Sequence, residues 1–272
     1  MTKSLDAVFH PENYPPMPKV KDLADFNQKW AVNRAAVLAN MAHAAYLDKT
    51  RLSELINRLG ANEIHVFDEQ GAQAFLAVWP DKAILAFRGS ESKEDSNNTT
   101  DSSPGEALAR LFLSAFDPMH WKFLRNDVLA DLNFKKRTID EQNGVEVHRG
   151  FLDEVDKLWS EILDRLRQET VGVPVWVTGH SLGAAMATIS GLRYPFEEVI
   201  TFGEPRVGCK LERAFRAKSH IRYVNGDDPV TKVPPDIGFG FDHHGTVVRI
   251  CDPDGSTDFK YDHSIVYYAQ NL

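Results

Sequence analysis

The sequence predicts an α/β protein, with a mostly parallel central sheet, helices on both faces and antiparallel strands at one edge. Three observations carry this. From Val145 onward, short apolar runs alternate with helical ones, the rhythm of parallel strands joined by covering helices. Between Ile64 and Phe87, three β-rich runs are joined by the turn sequences "DEQG" and "PDK", which makes them antiparallel neighbours. The stretch "VTGHSLGAAMA", Val177 to Ala187, sets a serine between two glycines where an apolar run meets an alanine-rich one, the pattern of a sharp strand-to-helix turn.

The elements follow in order. The first twenty residues are proline-rich ("HPENYPPMPKV") and predict an extended arm. Asp25 to Asp48 places Trp30, Ala31, Ala35, Leu38, Ala42 and Ala45 at helical intervals, and Arg51 to Leu59 forms a shorter helix stopped by Gly60. The antiparallel strands are Ile64 to Phe67, Ala74 to Trp79 and Ala83 to Phe87. After Ser90, "ESKEDSNNTTDSSPGE" has too little apolar surface to hold a fixed shape. "ALARLFLSAF" then puts Leu108, Leu111, Phe112, Ala115 and Phe116 on one helical face.

The parallel part begins with the strand "VEVH" and a helix from Phe151 to Gln168. Next come "VPVWVTG", a helix after Ser181, "EEVITFG", a helix near Leu211 to Ala217, and "HIRYVN". A last strand pair, Thr246 to Cys251 and Phe259 to Tyr261, is joined by "DPDG", and "HSIVYYAQNL" closes as a short helix. With no internal repeat and no linker, residues 1–272 read as a single domain, with 1–20 as the arm and 91–120 as an insertion.

Composition narrows the function classes. A net charge of -8 gives no basic footprint for phosphates, so nucleic acid is excluded as a partner. No apolar stretch approaches the roughly 18 residues of a spanning helix, and "MTKSLDAVFHPENYPP" lacks the apolar core of a signal peptide. The expectation is a cytoplasmic protein, or a secreted one if a leader was removed or a non-classical route is used. Cys209 and Cys251 make at most one bridge and read as free thiols in a reducing compartment. No spacing of Cys or His marks a metal site, and no metal or cofactor is expected.

A serine hydroxyl is a weak nucleophile until a base takes its proton and a carboxylate orients that base. Partners of a serine at such a turn follow it in the order Ser, Asp or Glu, His, on loops after strands. Asp227 and Asp228 lie just beyond "HIRYVN", and His263 lies in "YDHS". Taken singly, the Asp pair before a proline is equally turn chemistry and the histidine equally a packed residue; the order joins them. Attack on an ester carbonyl creates an oxyanion that needs preorganised N–H donors. One is the N–H of Leu182, directly after Ser181, and "AILAFRGS" offers Ser90 as the second.

The motifs "AFRGSES", "NDVLADLNF", "VHRGF", "VTGHSLGAAMA", "TFGEPRVG", "VNGDDPVTKVPP" and "DHSIVYY" occur in this order from about Ala83 to Tyr268. In these the chain resembles the class 3, or fungal-type, lipase family of the α/β-hydrolase superfamily. The resemblance implies an α/β-hydrolase fold and carboxylic ester hydrolysis, with triacylglycerols the foremost substrate. It implies Ser181 as nucleophile, His263 as base, Asp228 rather than Asp227 as acid, and Ser90 and Leu182 as oxyanion donors. In lipases of this family a short helical lid follows the oxyanion serine; here the interval from Ser92 to Trp121 is longer and opens on a polar run, so 91–120 reads as a lid insertion whose apolar face, 107–116, meets a lipid–water interface, the alternative being that this face packs into the core. The alternatives are a phospholipase A1, a feruloyl esterase or a short-chain esterase on the same site, or a non-catalytic protein that binds lipid or a partner. Ala184 stands where the family commonly has a second glycine. His180 and His148 read as packing and loop-fixing residues, and His243 with His244 as adjacent side chains that cannot easily converge on one ion.

Overall fold

The computed structural model describes residues 11–14, 16–17, 20–89, 135–234, 240–251 and 259–272. Seven strands form the main sheet: β1 (Glu63–Glu69), β2 (Ala72–Val78), β3 (Ala83–Phe87), β6 (Val175–His180), β7 (Glu198–Phe202), β9 (His220–Val224) and β10 (Thr246–Arg249), side by side in that order. β1, β2 and β3 pair antiparallel, as the turn sequences between them require. β3, β6, β7, β9 and β10 run parallel.

Period-two alternation divides the core between the two faces of this sheet. Ala83, Leu85 and Phe87 of β3, with Val175 and Val177 of β6, face α4 (Arg149–Glu169) and α5 (Leu182–Arg193). Ile84, Ala86 and Trp176 face the other way, toward α1 (Leu23–Val32), α2 (Arg34–Ala44), α3 (Lys49–Arg58) and α7 (Ile265–Asn271). On α4 the buried residues Leu152, Val155, Leu158, Ile162 and Leu166 form one stripe. Each contributes roughly 1.5–3 kcal/mol on burial, several times a surface ion pair such as Arg149–Asp153. The opposite face is pinned by cations among aromatic rings. Buried Lys82 lies 5.6, 5.9 and 6.0 Å from the rings of Phe26, Trp30 and Trp79, and Arg34 lies 5.1 Å from both Trp30 and Trp176 while pairing with Glu198 at 2.8 Å.

Five elements differ from the sequence expectation. The helix predicted over Asp25–Asp48 is two, because Asn33 leaves helical geometry, accepts the N–H of Ala36 and donates from Nδ2 to the carbonyl of Leu272. "VEVH" (β5, Val145–His148) is outside the parallel sheet. It pairs antiparallel with β4 (Lys136–Asp140), which is too polar to read as a strand, and with the short β8 (Gly208–Cys209). Leu211–Ala217 makes only a 3-10 turn over Leu211–Arg213, since the N–H groups of Arg216 and Ala217 go to the carbonyl of Gly191 on α5. Phe259–Tyr261 opens a short helix, α6 (Phe259–Asp262), and β10 pairs with β9 in place of a hairpin partner.

The parallel strands end along one edge, where Gly89, Ser181, Gly203 and the turn Asn225–Asp228 follow β3, β6, β7 and β9. Loops at the carboxyl ends of parallel strands are where ligands of such sheets bind.

Candidate active site

Ser181 ends β6 and caps α5 with φ 59° and ψ -122°, a conformation few residues other than glycine adopt. Close packing enforces the turn. A Cβ on Gly179 would lie 2.2 Å from the carbonyl oxygen of Gly183, and one on Gly183 would lie 2.4 Å from that of Phe87. The helix start therefore rests against the ends of β3 and β6 with only backbone between them. Ala184, also fully buried, fits where a second glycine is usual. Strain of this kind is held by surrounding structure and concentrates at functional sites.

His263 lies between α6 and α7 and points at the serine: its Nε2 is 2.9 Å from Ser181 Oγ, so the hydroxyl donates to the ring. On the other side its Nδ1–H donates to Asp228, 3.0 Å from Oδ1 and 2.9 Å from Oδ2. Residues 82 and 35 positions apart in the chain thus meet in one line. Of the two adjacent aspartates, Asp228 is the one facing the ring. It is fully buried, its Oδ1 also accepts the N–H of Val230, and its Oδ2 accepts the hydroxyl of Tyr268 at 2.6 Å. Asp227 turns to Lys232 at 3.5 Å and donates its N–H to Asp262. Burial, with the Asp228 charge beside it, drives the Tyr268 phenol well above its ordinary range, so it stays protonated and donates.

Leu182 is the first residue of α5, and its N–H is among those a helix leaves without an intrahelical acceptor. It is placed next to Ser181, at the positive end of the helix. Ser90 and the insertion 91–120, with the apolar face 107–116, lie outside the described residues.

Four other histidines among the described residues are engaged elsewhere. His148 caps α4, accepting at Nδ1 from the N–H of Gly150 and Phe151. His243 bonds through Nε2 to the carbonyl of Thr231, whereas His244 bonds through Nδ1 to His220. His180 is bonded at both nitrogens, to Tyr46 and to the main chain of His263, a more specific engagement than packing. Cys209 and Cys251 are not joined in a disulfide. Among the described residues no group of three or more His, Cys, Asp or Glu could hold a metal ion, and no helix is long and apolar enough to cross a membrane.

Sequence reasoning missed three groups around the site. Tyr268 follows His263 by five residues and is hidden in a helix that reads as merely apolar. Asn225 donates from Nδ2 to the carbonyl of Asp262 and offers its N–H to the Tyr268 hydroxyl. Glu204 is fully buried beside the site and its Oε2 accepts from Thr188, Thr201 and His220. The "GEP" sequence alone carried no sign of that cluster.

Residues 124–238 match the family described as lipase (class 3). The chain is 36% identical over 126 residues to a secreted mono- and diacylglycerol lipase of Fusarium solani, a match covering 42% of this chain and 37% of that one. It is also 36% identical over 140 residues to a lipase of Rhizomucor miehei, covering 46% and 38%. The match therefore spans well under half the length of these relatives. Among solved structures, a triacylglycerol lipase whose catalytic centre is a serine-protease-type triad superposes with a TM-score of 0.57 at 22% identity, over 81% of this chain and 80% of that one. The shared architecture is the α/β-hydrolase fold.

Proposed function

We propose that the chain, whose residues 124–238 match the class 3 lipase family, hydrolyses carboxylic esters of lipids, as a triacylglycerol lipase. The observation that carries the reading is the line from Ser181 Oγ through the His263 ring to the buried Asp228, each step about 3 Å.

In the mechanism, His263 takes the proton of Ser181 as its oxygen attacks the ester carbonyl. Asp228 holds the ring in the Nδ1–H tautomer and stabilises the imidazolium that forms. The Leu182 N–H, with Ser90, receives the oxyanion. The protonated ring then gives its proton to the departing alcohol, leaving an acyl-enzyme. Water attacks that ester with the same histidine as base and releases the acid. Every proton is carried by the protein or by water, so the sequence of steps calls for no cofactor.

The whole chain acts in this reading as a single domain, with residues 91–120 as its lid and Leu108–Phe116 as the face turned to lipid. A lid of that kind predicts activity that rises steeply once an emulsified ester exceeds its solubility; a smooth hyperbola through that point contradicts it.

The substrate class is tested with triacylglycerols of graded chain length, phosphatidylcholine, a feruloyl ester and short-chain nitrophenyl esters, each on wild type and Ser181→Ala. Fatty acid release from long triacylglycerols by wild type alone supports the proposal. Preference for phosphatidylcholine, the feruloyl ester or the short esters moves the assignment to a phospholipase A1, a feruloyl esterase or a short-chain esterase. Equal inactivity of both proteins on all of them leaves only a binding role.

A further inference from the structure

His180 stands between the first glycine and the serine of the turn, and its buried ring touches polar groups at both ends. Nε2 is 2.6 Å from the carbonyl oxygen of His263, and Nδ1 is 2.9 Å from the hydroxyl of Tyr46. A carbonyl oxygen only accepts, so Nε2 carries a proton. Burial, with repulsion from His263 adding to it, holds the ring well below its ordinary pKa, so it is neutral and Nδ1 is an acceptor. The Tyr46 hydroxyl must then be the donor to Nδ1. Its oxygen in turn accepts the N–H of Gly89, at the end of β3. No other residue fits at position 89, because a Cβ would lie 2.1 Å from Tyr46 Oη and 2.6 Å from the carbonyl oxygen of His180.

These bonds run in one direction, from the Gly89 N–H through Tyr46 and His180 to the main chain of His263. They tie the loop after β3 and the nucleophile turn to the residue whose Nε2 must meet Ser181. The two imidazoles lie 4.5 Å apart between centroids. A second positive charge at that distance would oppose the imidazolium formed on His263 during turnover, so the neutral state of His180 matters as much as its bonds.

We propose that His180 is a positioning residue for the base, with Tyr46 selecting the tautomer in which His180 donates to the His263 carbonyl. This rests on the reading of Ser181 and His263 as nucleophile and base. Misplacing a reacting group by about 1 Å costs up to roughly a hundredfold in rate, and the hold on His263 runs through a single acceptor, its carbonyl oxygen.

The test uses the full chain labelled with nitrogen-15 histidine, together with nitrophenyl butyrate kinetics. In the wild type, His180 shows a protonated Nε2 and an unprotonated Nδ1. Tyr46→Phe, which removes one oxygen, turns that signal into a mixture of tautomers and lowers kcat about tenfold. KM and the melting curve stay near wild type, a split that general loosening of the core would not give. His180→Phe shows a loss in kcat at least as large. An Nδ1–H or doubly protonated His180 in the wild type overturns the proposal, as does unchanged kcat in Tyr46→Phe. A folded wild type that hydrolyses no ester overturns the underlying reading instead, so the two failures are distinct.

Discussion

Gly183 is glycine because the carbonyl oxygen of Phe87 would lie 2.4 Å, and the carbonyl carbon of Arg88 2.8 Å, from any Cβ placed there. Both are backbone atoms with no side chain to swing aside. Gly183→Ala should therefore cost about 3 kcal/mol, at the upper end of overpacking penalties, read as a lower urea midpoint at unchanged slope. The two neighbouring aspartates allow a sharper comparison. Asp228→Asn keeps the shape but loses the charge that orients the base, and should lower kcat by roughly 10³–10⁴. Asp227→Asn should leave the rate near wild type, because its carboxylate faces Lys232 at the surface and not the His263 ring. Sequence order alone left these two open, and resemblance chose Asp228. Asp228 is the one that faces the His263 ring, buried and bonded to Tyr268, and neither feature is visible in "NGDDP".

Helices and strands were legible where burial gives a clean period and illegible where a single polar bond decides. The stripe on α4 and the unbroken apolar run of β3 announce themselves, and both are built as expected. The break between α1 and α2 is set by the Asn33 side chain, which no apolar period records. The 3-10 turn at Leu211–Arg213 is short because its later N–H groups find a carbonyl on α5, a contact made across 20 or more residues. Asn33 offers a test at this scale. Asn33→Ala removes both the cap of α2 and the bond to the C-terminal carbonyl, and should cost about 1–2 kcal/mol. Asn33→Asp keeps the capping oxygen and loses only the Nδ2 donor, so its urea midpoint should fall between wild type and the alanine variant.

Across the whole molecule, buried neutral histidines link stability to pH. Burial lowers His148, His243 and His244 from an ordinary value near 6.5 to about 4 in the folded chain. Between those limits the unfolded chain binds protons that the native chain refuses, so stability is complete above pH 6.5 and is lost as the pH falls toward 4. His148→Asn, which can still cap α4, should make that decline shallower by about one proton, or ~1.4 kcal/mol per pH unit, in denaturation curves taken across the window. The two-faced sheet and its antiparallel edge were legible because each rests on periodicity or turn chemistry, and the meeting of Ser181 and His263 with one of two adjacent aspartates because it rests on a motif and its order. The separate three-stranded sheet was not, since β8 is two residues long and β4 carries hardly any apolar signal. The central claim is that His263, oriented by Asp228, makes Ser181 nucleophilic, and a fluorophosphonate probe mapped by mass spectrometry tests it most directly. The account predicts an adduct on Ser181 in the wild type and in Asp227→Asn, none in Ser181→Ala, and strongly slowed labelling in His263→Ala and Asp228→Asn. A folded wild type left unmodified at Ser181, or a His263→Ala variant labelled as fast as wild type, would contradict it.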